Sequence, residues 1–417
     1  MIDIAALLVT LTAVLAWANH RFVRLPSAIG VMGIALVLSL GIVGLGHLGL
    51  SALTAYAERL VASVDFTTVL MRGMLSLLLF AGSLHVDLSD LASRRQAIFV
   101  LATAGVLIST VLVALAAWGV LALFGVPMQL VDCFVFGALI SPTDPIAVMG
   151  ILKSAGAPKG LEIKIAGESL FNDGVGVVLF AVLLKLAAGT RPLGAGAIAL
   201  LFVEEAVGGI ALGLALGYVT YLLLRSIDHY QVEVLLSLAC VLGGNALASR
   251  LHVSGPLAMV VAGLFIGNHG RLFAMSARTR RNLDMFWELI DEILNAVLFV
   301  LLGLEVLALT FRGERLLASL LMIPAVLLAR FVAVGVPLSL LRRILDVSPH
   351  AVKVLTWAGL RGGISVALAL SLPPGPAREA FVPMTYVIVA FSILVQGLTL
   401  GALVRRTAGS APPAPVR

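Results

Sequence analysis

The run Val131-Asp132-Cys133-Phe134-Val135-Phe136-Gly137-Ala138-Leu139-Ile140-Ser141-Pro142-Thr143-Asp144-Pro145-Ile146-Ala147-Val148-Met149-Gly150-Ile151-Leu152 is long and apolar enough to cross a bilayer, yet two prolines three residues apart sit near its middle. Each proline removes a backbone donor and clashes with the preceding turn, so no continuous helix passes from Ser141 to Pro145. The flanks, Val131 to Ile140 and Ile146 to Leu152, are each too short to span ~30 Å of hydrocarbon alone. A loop joining two short helices is the plain alternative. Broken backbone at membrane depth is tolerated where its freed carbonyls and amides face protein or a water-filled cavity. The segment is therefore expected to be one discontinuous transmembrane helix.

The rest of the chain supports a lipid solvent. Of 417 residues, 60% are hydrophobic and 12% charged, with a mean hydropathy of +1.10; a soluble domain runs at ~45–50% and ~25%. That surplus exceeds what a soluble core of this length can hide. A window of roughly 20 residues marks thirteen candidate spans, at 4–18, 27–46, 66–84, 97–124, 130–152, 162–186, 196–224, 231–249, 255–268, 284–309, 315–341, 350–371 and 381–404. The runs are apolar on every face and do not alternate at period two, which argues against a β-barrel. The fold class is all-α integral membrane, with no soluble domain left over. The Pro/Ala-rich end, Thr407 to Arg417, is expected to be disordered, and Met1-Ile2-Asp3-Ile4 lacks the basic start of a cleaved signal.

The net charge of +6 is explained by topology. With the N-terminus outside, the connections on the inner side hold 18 of the 28 Lys and Arg and those on the outer side seven, leaving Arg72, Arg330 and Arg361 within spans. This split fits a multi-pass protein of the cell membrane with a cytoplasmic C-terminus, and no nucleic-acid partner is needed to account for it. Arg72 lies near one end of its span, where snorkelling suffices. Cys133 and Cys240 fall in apolar spans and read as small packing residues. All seven histidines lie in loops or at span ends, which leaves an intramembrane His metal site without ligands.

Polar groups at membrane depth are costly and usually functional, and they gather in four places. The first is the break at Ser141–Pro145. The second is Gly167-Glu168-Ser169-Leu170-Phe171-Asn172-Asp173-Gly174, where Glu168 and Asn172, and Ser169 and Asp173, are i, i+4 pairs on adjacent stripes of one helix. These are hard oxygen donors, suited to an alkali cation more than to a soft transition metal. A buried ion-pair node is the structural alternative; it suits Glu168 and suits Asp173 poorly. The third is Arg361 in Gly359-Leu360-Arg361-Gly362-Gly363-Ile364-Ser365, whose adjacent glycines weaken a helix. If spans one to six and eight to thirteen are two halves, this second break matches the first in position, the arrangement that points to a transporter site. The fourth is Arg330, whose guanidinium needs a bidentate partner such as Glu168.

The strings Ser141-Pro142-Thr143-Asp144-Pro145-Ile146-Ala147-Val148, Gly167 to Val175, Phe286-Trp287-Glu288 and Gly359-Leu360-Arg361-Gly362-Gly363 resemble the monovalent cation:proton antiporters, the bacterial and archaeal sodium/proton antiporters related to the animal sodium/proton exchangers. The resemblance covers nearly the whole chain. It implies a homodimer of thirteen-helix protomers built from inverted repeats with two broken, crossing helices. Dimerisation helices would occupy 1–96 and 227–312, core helices 97–190 and 313–404, a linker helix 191–226 and a disordered cytoplasmic tail 405–417. By resemblance, Asp173 binds the proton or the cation, and Asn172, Asp144, Ser169 and the Thr143 carbonyl line the site, with Asp173, Asp144, Ser169 and Thr143 holding Na+. Asp144 and Arg361 would offset facing helix dipoles, and Glu168 would pair with Arg330 first or Arg361 second. One departure is that span three has no mid-span acid; its nearest candidates, His85 and Asp87, lie at its end.

The expected activity is exchange of a cation, Na+ or else Li+ or K+, for H+ without a cofactor and without enzymatic chemistry. A buried carboxylate can hold a proton or a dehydrated cation, so one group with two competing ligands gives obligate exchange when only the occupied protein crosses. By the same resemblance, Asn172, where other antiporter branches carry a second aspartate, implies electroneutral one-for-one exchange. A potassium-coupled antiporter and a cation channel are the alternatives, and an intramembrane aspartyl protease using Asp144 and Asp173 would lack the Gly-x-Gly-Asp string of such enzymes.

Overall fold

The computed structural model describes residues 2–48, 52, 55, 59, 73–189, 195–307, 313–340 and 351–408, and every regular element among them is a helix. The chain opens with α1 (Ile2–Ala18), α2 (Ser27–His47), α3 (Leu75–Leu84) and α4 (Arg95–Leu123). The fifth run is two pieces, α5a (Leu130–Ile140) and α5b (Pro145–Ala155). Then come α6 (Lys159–Ala187), α7 (Ala195–Arg225), α8 (Tyr230–Leu251), α9 (Gly255–Phe265), α10 (Ala277–Leu304) and α11 (Gly313–Leu340). The twelfth run is again divided, into α12a (Ala351–Trp357) and α12b (Gly363–Leu370), before α13 (Pro376–Thr407). Eight continuous helices among the described residues are long and apolar enough to cross a membrane unaided. The two breaks fall in the fifth and twelfth runs, each the fifth member of its set of six.

Boundaries differ from the sequence windows where polar residues extend a helix. α10 begins seven residues ahead of the apolar window, because Ser276 caps it by accepting from the Thr279 amide at 3.3 Å and a charged first turn needs no hydrocarbon around it. At the other end of the chain, helix continues through Arg405 and Arg406, so the expected tail at 405–417 starts as helix; its residues beyond 408 lie outside the described residues. The first part of the 66–84 span, with Arg72, also lies outside them.

α4, α5, α6, α11, α12 and α13 pack on one another: α4 lies along α5a and α11, α6 along α5a, and α13 along α11, α12b and α5b. Gly137 brings α5a against α4, since a Cβ there would run into the Thr110 backbone. A second group sets α7 on α8 and α9, α3 on α9 and α10, and α1 and α2 on α10. Two large apolar clusters meet at α10, whose first half (Leu283, Trp287) packs with Phe80, Val241 and Met259 and whose second half (Leu298 to Leu304) packs with Ile29, Phe136 and Phe381. Trp287 anchors the first half: it is fully buried, its ring centroid lies 4.7 Å from that of Phe80, and its Nε1 donates to Ser237 Oγ at 3.0 Å. Large apolar side chains such as Phe99, Leu123 and Leu328 project outward, which in lipid carries no penalty of the kind water would impose.

Candidate functional site

The two breaks meet. The Asp144 amide donates to the Leu360 carbonyl at 2.8 Å, joining the gap of the fifth run to the gap of the twelfth. Each gap supplies the charge that the other's half-helix needs. Arg361 Nη1 donates to the carbonyls of Ser141 and, at 3.0 Å, Pro142, at the C-terminal end of α5a. The Asp144 carboxylate lies over Gly362, the residue that caps the N-terminus of α12b, so closely that a Cβ there would overlap it. A cation at a helix C-terminus and an anion at a helix N-terminus are both the stabilising arrangement. Glycine at 362 is thus required by the close approach itself.

Freed backbone groups around the breaks are taken up by neighbouring helices. Ser141 Oγ donates to the Gly137 carbonyl at 2.7 Å and sits 3.0 Å from Ser109 Oγ and 3.3 Å from Thr110 Oγ1 of α4. The Arg361 amide donates to Ser392 Oγ at 2.8 Å, Ser392 donates to Gln396 Oε1 at 2.7 Å, and Gln396 Nε2 donates to the Trp357 carbonyl at 3.2 Å. Ser392 and Gln396 bound a π-turn inside α13, a form of local unwinding that recurs at functional sites. Sequence reasoning passed over both residues; their i, i+4 spacing in an apolar span was the available signal.

α6 brings Ser169 and Asn172 against the loop of the first break. Asn172 Oδ1 accepts from the Thr143 amide at 3.2 Å, which orients the side chain so that Nδ2 donates to Thr143 Oγ1 at 2.8 Å. Thr143 Oγ1 lies 3.0 Å from Ser169 Oγ. Both ends of the Asn172 amide bond Thr143, so this residue ties α6 to the loop of the first break. Asp173, one position on, is 4% exposed and its Oδ1 has no hydrogen-bond partner. It lies within electrostatic reach of Asp144, itself 9% exposed. Two carboxylates and the hydroxyls of Thr143 and Ser169 thus lie in one buried neighbourhood at the first break, and all are hard oxygen groups.

Glu168 is held apart from this group. Arg330 reaches it from α11 with Nη1 to Oε1 at 2.5 Å and Nη2 to Oε2 at 2.9 Å, and Nη2 also donates to the Leu355 carbonyl at 3.3 Å. Gly359 lets the guanidinium lie against the α12 break, where a Cβ would strike its Nε. Arg361 is committed to α5a, so the carboxylate of Glu168 has Arg330 as its partner. Its buried, bidentate pairing fastens α6 to α11 and the turn after α12a. Among the described residues of α3 there is no acid. His85 Nδ1 lies 2.9 Å from the Ala81 carbonyl, and Asp87 is the exposed cap of the short helix Leu88–Ser93, accepting from the Ser89 hydroxyl at 2.6 Å and the Ser89 amide at 2.7 Å, contacts that hold its carboxyl below the usual range. No group of three or more His, Cys, Asp or Glu among the described residues is arranged to hold a metal.

The family model described as sodium/hydrogen exchanger, transmembrane, matches residues 8–406. The Na+/H+ antiporter NhaP of Pseudomonas aeruginosa is 54% identical over 417 residues, covering 99% of this chain and 98% of that one. The Na+/H+ antiporter NhaH of Halobacillus dabanensis is 34% identical over 413 residues, covering 97% of each. The solved structure of the sodium proton antiporter MjNhaP1 from Methanocaldococcus jannaschii superposes with a TM-score of 0.75 at 20% identity, over 98% of this chain and 99% of that one. The match over almost the full length, together with two helix breaks that exchange charges around a buried aspartate, shows that this chain belongs to the transmembrane sodium/hydrogen exchanger family.

Proposed function

We propose that the chain is a secondary transporter that exchanges a monovalent cation, Na+ in the first instance, for H+, one for one and without net charge movement. The observation that carries this reading is Asp173, buried with an unpartnered oxygen one residue after the Asn172 that bonds the first break, and within electrostatic reach of Asp144. A carboxylate removed from water needs either a proton or a cation beside it, and the two cannot share the position. Thr143, Ser169 and Asp144 supply oxygens around the cation, Asn172 fixes the Thr143 loop, and Arg361 and Asp144 compensate the half-helix ends. Asn172 in place of a second titrating acid leaves a single proton to be traded for a single charge. The relatives named Na+/H+ antiporters at 54% and 34% identity support the same reading.

Alternating access follows when α4, α5, α6, α11, α12 and α13 move as one body against the remaining helices. On this reading residues 1–96 and 227–312 form the static, dimerising part in a cell membrane, with the C-terminus cytoplasmic as the basic loops indicate. The test is Asp173→Asn in proteoliposomes. Na+-driven proton flux is expected to fall to the level of protein-free vesicles while the variant still inserts and purifies as the native form does; undiminished flux would sink the reading.

A further inference from the structure

The two buried guanidiniums beside the breaks each leave one donor unpaired. Arg330 gives Nη1 and Nη2 to Glu168, and Arg361 gives Nη1 to the carbonyls at the end of α5a. Arg330 Nε and Arg361 Nη2, on residues 5% and 2% exposed, have no hydrogen-bond partner. A donor taken out of water without a replacement is costly, and more so when it carries charge.

Both residues line the same cavity, a space of about 10 Å³ between α11, the break of the twelfth run and α13. Gly359 also lines it, and a Cβ on that glycine would lie 2.5 Å from Arg330 Nε, so the unpaired nitrogen stands at the cavity wall. Gln396 is the third polar residue around it, and Val326, Ile388 and Phe391 are among the apolar ones. The Gln396 amide is oriented by Ser392, which donates to Oε1, and by the Trp357 carbonyl, which accepts from Nε2. It keeps one lone pair and one N–H free, so it can meet either end of a small polar molecule.

Size and partner count identify the occupant. A volume of about 10 Å³ is roughly what one water molecule needs, and a buried water is held by two to four polar partners. Three are present, and in so small a space a single occupant reaches both guanidiniums. The two positive charges would also suit a halide, but a halide is larger than water. We propose that this cavity binds one water molecule, which accepts from Arg330 Nε and Arg361 Nη2 and joins the two arginines into one brace. A bridging water is nearly as good as a direct hydrogen bond. Arg330 holds α6 through Glu168 and Arg361 holds α5a, so the water ties these two helices together from behind the breaks.

A crystallographic map of the native protein, at a resolution that shows ordered water, gives the test. One spherical density within hydrogen-bond distance of both nitrogens is expected; a map without it overturns the proposal. Crystals grown with bromide in place of chloride separate the two acceptors. No anomalous peak is expected at the site, and a bromide peak there replaces the water with an anion and defeats the assignment. Val326→Ile adds one methyl group to the apolar wall, enough to displace a single water. In that variant the density is expected to vanish and the Tm in detergent to fall by several degrees, because two charged donors lose their acceptor. Density lost at unchanged Tm would overturn the brace. Should the added methyl turn elsewhere or the variant fail to insert, the native and bromide maps decide alone.

Discussion

At the scale of single residues, the candidate site sets a carboxylate with an unpartnered oxygen beside groups whose hydrogen bonds fix the break. Asp173 has an oxygen with no partner, whereas both ends of the Asn172 amide bond the Thr143 amide and hydroxyl. The i, i+4 spacing made the stripe of Glu168, Ser169, Asn172 and Asp173 legible in the sequence, and the lone guanidinium of Arg330 at mid-span implied a carboxylate partner. The task of Asn172 was not legible, because it depends on where a loop 29 positions away returns in space. A leucine at 172 keeps the volume but can neither accept from the Thr143 amide nor donate to Thr143 Oγ1. Asn172→Leu is thus expected to slow exchange on the order of tenfold, the equivalent of the ~1–2 kcal/mol lost when a buried hydrogen bond goes unmade. Proton flux at saturating Na+ measures this, and a rate equal to the native one would show that the Thr143 anchor is dispensable.

At the scale of elements, two helices are interrupted, and one of the π-turns among the described residues, that of α13, serves the second interruption. Pro142 and Pro145 announce the first interruption, and Gly359, Gly362 and Gly363 the second, since close backbone approach needs the missing Cβ. The π-turn of α13 has no such signature: a shift of one residue in hydrogen-bond register is set by the partner it serves, here the unwound stretch from Ala358 to Gly362. Removing the polar side chains of that turn tests the dependence. With Ser392→Ala and Gln396→Leu together, the Arg361 amide and the Trp357 carbonyl lose their buried partners, at roughly 1–3 kcal/mol each. Amide hydrogen exchange across residues 358–362 is expected to accelerate, with a lower Tm in detergent and helices distant from α13 unaffected. Unchanged exchange there would mean that the break holds itself.

At the scale of the whole molecule, the sequence located the helical runs but could not say which of them touch, because apolar faces of membrane helices carry little partner information. The packing resolves this into helices that share the crossing and helices that flank it, with α10 reaching into both. On the proposed exchange mechanism, alternating access requires relative movement along α10, and the contact between Leu298 and Gly363 lies on that path. The overlap that a Cβ at 363 would make with the Leu298 side chain brings the two positions within the range a disulfide can bridge, provided both become cysteine. The native Cys133 and Cys240 are buried, so they offer little competition for oxidation. Leu298→Cys with Gly363→Cys is expected to exchange ions when reduced and to stop when oxidised, with activity returning on addition of a thiol reductant, while either single variant is indifferent to oxidation. Exchange that persists after complete cross-linking, judged by the loss of free thiol at both positions, would mean that α12b and α10 keep their contact throughout the cycle. The moving boundary would then have to lie elsewhere, between α6 and the α3–α9 pair that packs on its other side.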